Sequence, residues 1–167
     1  MTRLKLQPVR TERQILETAG LAHDIWREHY APILSADQIE YMLANLQSTD
    51  AIRAQTASGY DYYLIRTGGR AIGYVGLRLN DPAPDMFLSK LYIGSDARGK
   101  GYGRATLEEL LDLARNALQK SIWLTVNRQN PSIAVYEALG FAKEKTLVTD
   151  IGGGYVMDDY VMRRPVT

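Results

Sequence analysis

Leu91-Tyr92-Ile93-Gly94-Ser95-Asp96-Ala97-Arg98-Gly99-Lys100-Gly101-Tyr102-Gly103-Arg104 reads as a strand running into a glycine-rich turn, with a helix opening at about Tyr102. The first turn of a helix offers N–H groups that have no partner inside the helix, together with the positive end of its dipole. Glycines beside it let an anion approach the backbone. Three cations, Arg98, Lys100 and Arg104, cluster at this place. A phosphate site is the sharper reading; a tight turn carrying solvated charges is the plainer one. Two nucleotide motifs fail here. Gly94 to Gly101 spells G-x-x-x-x-G-K-G, with Gly101 where a P-loop requires Ser or Thr for its magnesium ion. Arg104 stands where the dinucleotide fingerprint requires its third glycine.

Outward from this turn the chain alternates strands and helices. On its amino-terminal side, Met86 to Ile93 is apolar on both faces, as a buried central strand is. Before it, Tyr60 to Thr67 and Ala71 to Leu79 flank Gly68-Gly69 as a hairpin. Earlier still, a short strand over Leu4, Leu6 and Val9 precedes a helix carrying Ile15, Ala19, Ala22 and Trp26. A second helix follows from Ser35-Ala36-Asp37-Gln38, which has the form of a capping box, with Ile39, Met42, Leu43 and Leu46 as its stripe. On the carboxyl-terminal side, Leu107, Leu110, Leu111, Ala114 and Leu118 mark an amphipathic helix, and Ile122, Leu124 and Val126 alternate as a strand. A short helix from about Pro131 to Leu139 stops at Gly140. A hairpin, Ala142 to Ile151 and Tyr155 to Arg163 around three glycines, closes the chain. The order is β, α, α, β, β, β, α, β, α, β, β. Its strand–turn–helix–strand middle predicts one parallel pair inside a mixed sheet.

With 167 residues, 46% hydrophobic and 23% charged, the chain suits one α/β domain, residues 1–167. A net charge of +1 supplies no general attraction to nucleic acid or to an anionic membrane, so recognition by charge must be local. The absence of cysteine removes disulfides, thiolate metal sites and cysteine nucleophiles, and fits a reducing compartment. No apolar stretch has the length of a signal peptide or a spanning helix, so the expected location is cytoplasmic. His23 and His29 are six apart and face different sides of a helix, a poor metal pair. No metal is expected.

A second motif lies downstream: Asn130-Pro131-Ser132-Ile133-Ala134-Val135-Tyr136-Glu137-Ala138-Leu139-Gly140-Phe141. It resembles the Asn followed by Y-E-x-L-G-F of the GNAT superfamily of N-acetyltransferases. Arg98 to Gly103 likewise resembles that family's R/Q-x-x-G-x-G/A signature. The element order is similar to the family's from first strand to last hairpin. The resemblance implies a mixed twisted sheet with a central splayed parallel strand pair flanked by helices, and acetyl-CoA as co-substrate. The backbone of Leu91, Tyr92 and Ile93 would pair with the pantetheine arm. The amides from Gly99 through Lys100, Gly101, Tyr102 and Gly103 to Arg104 would hold the pyrophosphate, with Arg98, Lys100 or Arg104 near the phosphates. Asn130 would touch the cofactor, although Asn before Pro is also how a helix is capped. Tyr136 would be the general acid, since a phenol with an ordinary pKa of about 10 is well matched to a departing thiolate.

No base is evident. The strand before the turn reads Phe87-Leu88-Ser89-Lys90, without a carboxylate. Glu28, His29, Asp158 and Asp159 are candidates, each read first as a solvated surface group. The implied reaction is direct acetyl transfer to a primary amine, a small molecule first of all. Trp26 to Tyr41 is similar in style to bacterial polyamine-type acetyltransferases, and a polyamine would call on Glu28, Asp37, Glu40, Asp158 and Asp159. Protein N-termini or lysines are the alternative acceptors, and a non-catalytic acyl-CoA sensor is the rival from another class. The resemblance also leaves room for a homodimer.

Overall fold

Ser and Thr set the helix starts. In the computed structural model, which describes residues 3–167, Thr11 caps α1 (Glu12–Tyr30): its hydroxyl accepts from the Gln14 N–H, and the Gln14 side chain accepts from the Thr11 N–H. Ser35 caps α2 (Ala36–Leu46) and Ser48 caps α3 (Thr49–Ala57), each hydroxyl accepting from the N–H three residues on, of Gln38 and of Ala51. The sequence reading did not anticipate α3. Ile52 is its one buried residue, so it carries no apolar stripe to read. The remaining elements are β1 (Leu4–Pro8), β2 (Asp61–Thr67), β3 (Arg70–Arg78), β4 (Asp85–Ile93), α4 (Tyr102–Asn116), β5 (Ser121–Asn127), α5 (Ser132–Ala138), β6 (Ala142–Gly152) and β7 (Tyr155–Pro165). The strands follow the order β1-β2-β3-β4-β5-β7-β6, so β4 is central as its sequence suggested.

The chain divides into two compact units, one of residues 3–78 and 90–110 and one of residues 79–89 and 111–167. In the first, α1 lays Ile15, Ala19 and Ala22 over Leu64 and Tyr74, with Val9 and Ile52 completing the cluster. Each large apolar side chain buried here contributes roughly 1.5–3 kcal/mol. Tyr62 and Tyr74 stack with centroids 6.3 Å apart. Their hydroxyls end on amides rather than in apolar space. Tyr74 donates to Gln47 Oε1 at 2.6 Å, and Gln47 Nε2 donates to the Tyr62 oxygen at 3.1 Å. Burial pushes Tyr62 up to about 12. β3 approaches the end of β4 so closely at Gly73 that an added Cβ would run into the Tyr92 carbonyl.

In the second unit, β5 and β7 form an antiparallel ladder from Ser121↔Pro165 to Asn127↔Asp159. β6 adds to the other edge of β7. The first residues of β4 run parallel to β5 over three pairs, Asp85↔Ser121 to Phe87↔Trp123, where the two rings stack at 4.2 Å. β5 continues to Asn127 beyond the last of these pairs, as a splayed parallel pair requires. Arg163 secures this end, pairing with Asp85 at 3.2 Å and donating to Ser121 Oγ at 2.8 Å. Leu118 departs from its expected place on the stripe of α4. The helix ends at Asn116, and Leu118 has φ 58° and is 83% exposed.

Candidate active site

The turn after β4 is held from both sides. Asp96, in a single turn of 3-10 helix (Ser95–Ala97), pairs with Arg70, and Gly94 N–H donates to the Ile72 carbonyl at 2.8 Å. Gly99 and Gly101 take φ of +74° and +84°, the left-handed region that favours glycine, and an added Cβ at either would meet open space. α4 begins one residue later, at Tyr102, with Gly103 and Arg104 in its first turn.

The three cations differ in what they do. Arg98 is occupied by protein: Nε donates to the Ile93 carbonyl at 2.9 Å, and its guanidinium forks onto Glu28, with contacts of 2.9 and 2.8 Å. It buttresses the turn against α1. Lys100 donates to the Asp96 carbonyl at 3.1 Å and forms no ion pair among the described residues; Arg104 is exposed and likewise unpaired in that sense. The charge left for an anion is that of Lys100 and Arg104.

Leu91, Tyr92 and Ile93 are half-buried at the end of β4. Tyr92 sits in an aromatic group: its hydroxyl lies 2.7 Å from that of Tyr30, and its ring is 5.4 Å from Trp26 and 6.0 Å from His29. Burial, with the charge of Arg98 behind it, lowers the His29 pKa from 6.5, which favours the neutral ring. Glu28 is pulled below the usual carboxylate range by its hydrogen bond from Arg98, which makes it a poor base. The strand itself carries Lys90, which no sequence motif marks and whose pKa burial lowers to about 8.

In the second unit, Asn130 does not stand at the N-cap as expected. Pro131 does, and α5 starts at Ser132. Asn130 is buried, and its Oδ1 accepts from the Ser132 N–H at 2.8 Å, fixing the entry to the helix one residue early. Tyr136 is half-buried on α5 with its ring edge-on to Phe141 at 5.6 Å. The turn after it closes through the Phe141 N–H donating to the Tyr136 carbonyl at 3.0 Å, with Gly140 at φ +94°. Asp158 is exposed and pairs with Arg128 at 3.5 Å. Asp159 is not the solvated group the sequence suggested. It is 6% exposed, and desolvation aided by Asp158 raises it to about 6.

Among the described residues no three His, Asp or Glu gather as a metal site would need, and no helix is long and apolar enough to cross a membrane.

Comparison with known proteins places this architecture. The model of the acetyltransferase (GNAT) family matches residues 19–141, a span holding both the glycine turn and α5. N-alpha-acetyltransferase RimI of Mycobacterium tuberculosis is 33% identical over 97 residues, 56% of this chain and 60% of the relative, so the match spans less than two thirds of that protein. An uncharacterized N-acetyltransferase of Mycobacterium bovis is 30% identical over 138 residues, 82% of each chain. In fold, the chain is similar to the PaiA N-acetyltransferase of Thermoplasma acidophilum, solved in complex with coenzyme A, with TM-score 0.79 at 21% identity over 98% of this chain and 99% of that one. The ribosomal-protein-S18-alanine N-acetyltransferase of Escherichia coli gives TM-score 0.69 at 18% identity, over 99% and 95%. With its family model matched over most of its length and its sheet order carrying one short parallel pair at β4 and β5, the chain belongs to the acetyltransferase (GNAT) family.

Proposed function

We propose that residues 1–167 act as one acetyl-CoA-dependent N-acetyltransferase that moves the acetyl group directly to a primary amine. The observation that carries this reading is the open, left-handed Gly99–Gly101 turn at the start of α4, with Lys100 and Arg104 beside it. It offers a pyrophosphate several N–H donors and two cations without any side chain to displace. The backbone of Leu91 to Ile93 receives the pantetheine arm, as a missing β-neighbour would be received. In the second unit Asn130 contributes to cofactor contact, and Tyr136 gives a proton to the sulfur as the C–S bond breaks. The transfer is read as direct, without an acyl-enzyme, because the chain has no cysteine and its two histidines, His23 and His29, lie outside both motifs, so no serine there has a histidine beside it in sequence to activate it.

The acceptor is read as a single amine rather than a polycation. Three of the five carboxylates that a polyamine would call on are already committed to arginines, Glu28 to Arg98, Glu40 to Arg27 and Asp158 to Arg128, which leaves Asp37 and the buried Asp159. Similarity to an N-alpha-acetyltransferase favours a peptide amino terminus as the particular amine. The test is release of CoA, followed with a thiol reagent, across spermidine, phenethylamine and an alanine-first peptide at low and high salt. With no cysteine in the chain, the reagent reports CoA alone. Salt-insensitive turnover of a mono-amine is expected. A steeply salt-dependent preference for spermidine would restore the polyamine reading.

A further inference from the structure

β7 carries two consecutive carboxylates in opposite circumstances. Asp158 is exposed and has Arg128. Asp159 is 6% exposed, and its Oδ1 has no hydrogen-bond partner among the described residues. Nor does a lysine or arginine pair with it there. Across the ladder on β5 stands Asn127, whose own Oδ1 accepts from the Gln129 N–H at 2.9 Å, and the next residue, Arg128, is taken by Asp158. Across on β6 stands Leu147, with the exposed Lys145 further along opposite Val161. A buried carboxylate with an unmatched oxygen costs stability, and no hydrogen bond or ion pair at that oxygen among the described residues returns the cost.

Its position suggests what does. Asp159↔Asn127 is the final pair of the β5–β7 ladder, at the carboxyl end of β5 and beyond the Phe87↔Trp123 pair where the parallel ladder with β4 stops. Ligands of open α/β sheets bind off the carboxyl ends of their parallel strands. The short connection from the same end of β5 leads into α5, the helix of Tyr136.

We propose that Asp159 is the general base that accepts the proton of the acceptor ammonium. This rests on the acetyltransferase reading and supplies the group that β4 lacks. The ammonium gives one proton to the Asp159 carboxylate, which passes it to water. The freed nitrogen lone pair attacks the thioester carbonyl, the C–N bond forms and the C–S bond breaks. The second proton shed by nitrogen balances the one Tyr136 gives to the thiolate. A carboxylate raised toward neutral pH is a better base than an ordinary one and is still ionised at pH 7.

The test is kcat/KM against pH, from about 5 to 9, by CoA release with the fastest of the three acceptors named above. In the wild type an acid limb centred near 6 is expected. Asp159→Asn should lower kcat/KM at neutral pH roughly 10²- to 10⁴-fold, abolish that limb and leave CoA affinity by calorimetry unchanged. Asp159→Glu should recover part of the rate with a shifted limb, and Asp158→Asn should keep the neutral-pH rate and move the limb to lower pH, because Asp158 helps raise the Asp159 pKa. Should the Asn variant not fold, the Glu variant decides, because a limb that stays at its wild-type midpoint there overturns the proposal. A wild-type profile flat on the acid side also overturns it, as does full turnover by Asp159→Asn, or a limb that survives in Asp159→Asn and is lost in His29→Gln. A wild type that binds CoA yet releases none from any acceptor brings down the acetyltransferase reading itself, an outcome distinct from all of these.

Discussion

The glycine turn at residues 98–104 and the β5–β7 ladder treat polar groups in opposite ways. In the turn the backbone attracts and the side chains support. Gly99 and Gly101 take left-handed φ with open space where a side chain would stand, while Arg98 is spent on Glu28 and the Ile93 carbonyl. In the ladder the two strands keep register without a break from Ser121↔Pro165 to Asn127↔Asp159, and one side chain, Asp159, is sealed in with an oxygen unmatched. Phosphate is held by many weak donors, and proton transfer by one carboxylate whose surroundings set its affinity for a proton. A cradle for an anion is written in glycine. A base is written in burial.

Breaking each side of the contrast should give different losses. The largest is expected at Tyr136→Phe, which keeps the ring against Phe141 but removes the proton donor. Turnover should fall roughly 10²- to 10⁴-fold with acetyl-CoA affinity little changed, measured as kcat beside a calorimetric Kd. Gly101→Val should do the reverse, since φ +84° is strained for a β-branched residue and the relaxed turn no longer presents its amides. Binding of acetyl-CoA should weaken by about tenfold or more, with the circular dichroism spectrum preserved. Lys100→Ala and Arg104→Ala should each weaken CoA binding by a few-fold and flatten its salt dependence. Arg98→Ala should lower Tm more than either, because it loses a bidentate pair and a carbonyl contact.

The smallest effect concerns stability and pH. The Asp159 pKa is raised from 3.8 to about 6, so the folded chain keeps a proton there that the unfolded chain has lost. Stability therefore falls as pH rises through that window, and the cost is full above it. Asp159→Asn should raise Tm relative to wild type by more at about pH 8 than at about pH 3.5. The difference should correspond to on the order of 1–2 kcal/mol once screening by solvent is allowed for.

Sequence and structure agree where a period or a special residue carries the signal. Gly68-Gly69 gave the hairpin, Ser35 the start of α2 and Gly140 the end of α5. The turn at 98–104 was legible because both left-handed positions are glycine. α3 was not, since only Ile52 faces the core and its punctuation, Ser48 before it and Gly59 at φ +104° after it, frames no apolar stripe. Leu118 looked like the next residue of a stripe, but the helix stops short of it and the left-handed conformation at Leu118 turns the chain away. The roles of Arg98 and Asp159 depend on partners far along the chain: Glu28 for one, and for the other Asn127 and Leu147, which flank it without pairing its charge. No local pattern announces such neighbours.

Whether the Gly99–Arg104 backbone cradles the pyrophosphate of acetyl-CoA is decided by an amide-resolved NMR titration of the labelled protein with coenzyme A. The N–H signals of Gly99, Gly101, Tyr102, Gly103 and Arg104 should move most, saturating together at one affinity, and Gly101→Val should lose the shifts. Saturable binding of coenzyme A with those amides unmoved would contradict the cradle.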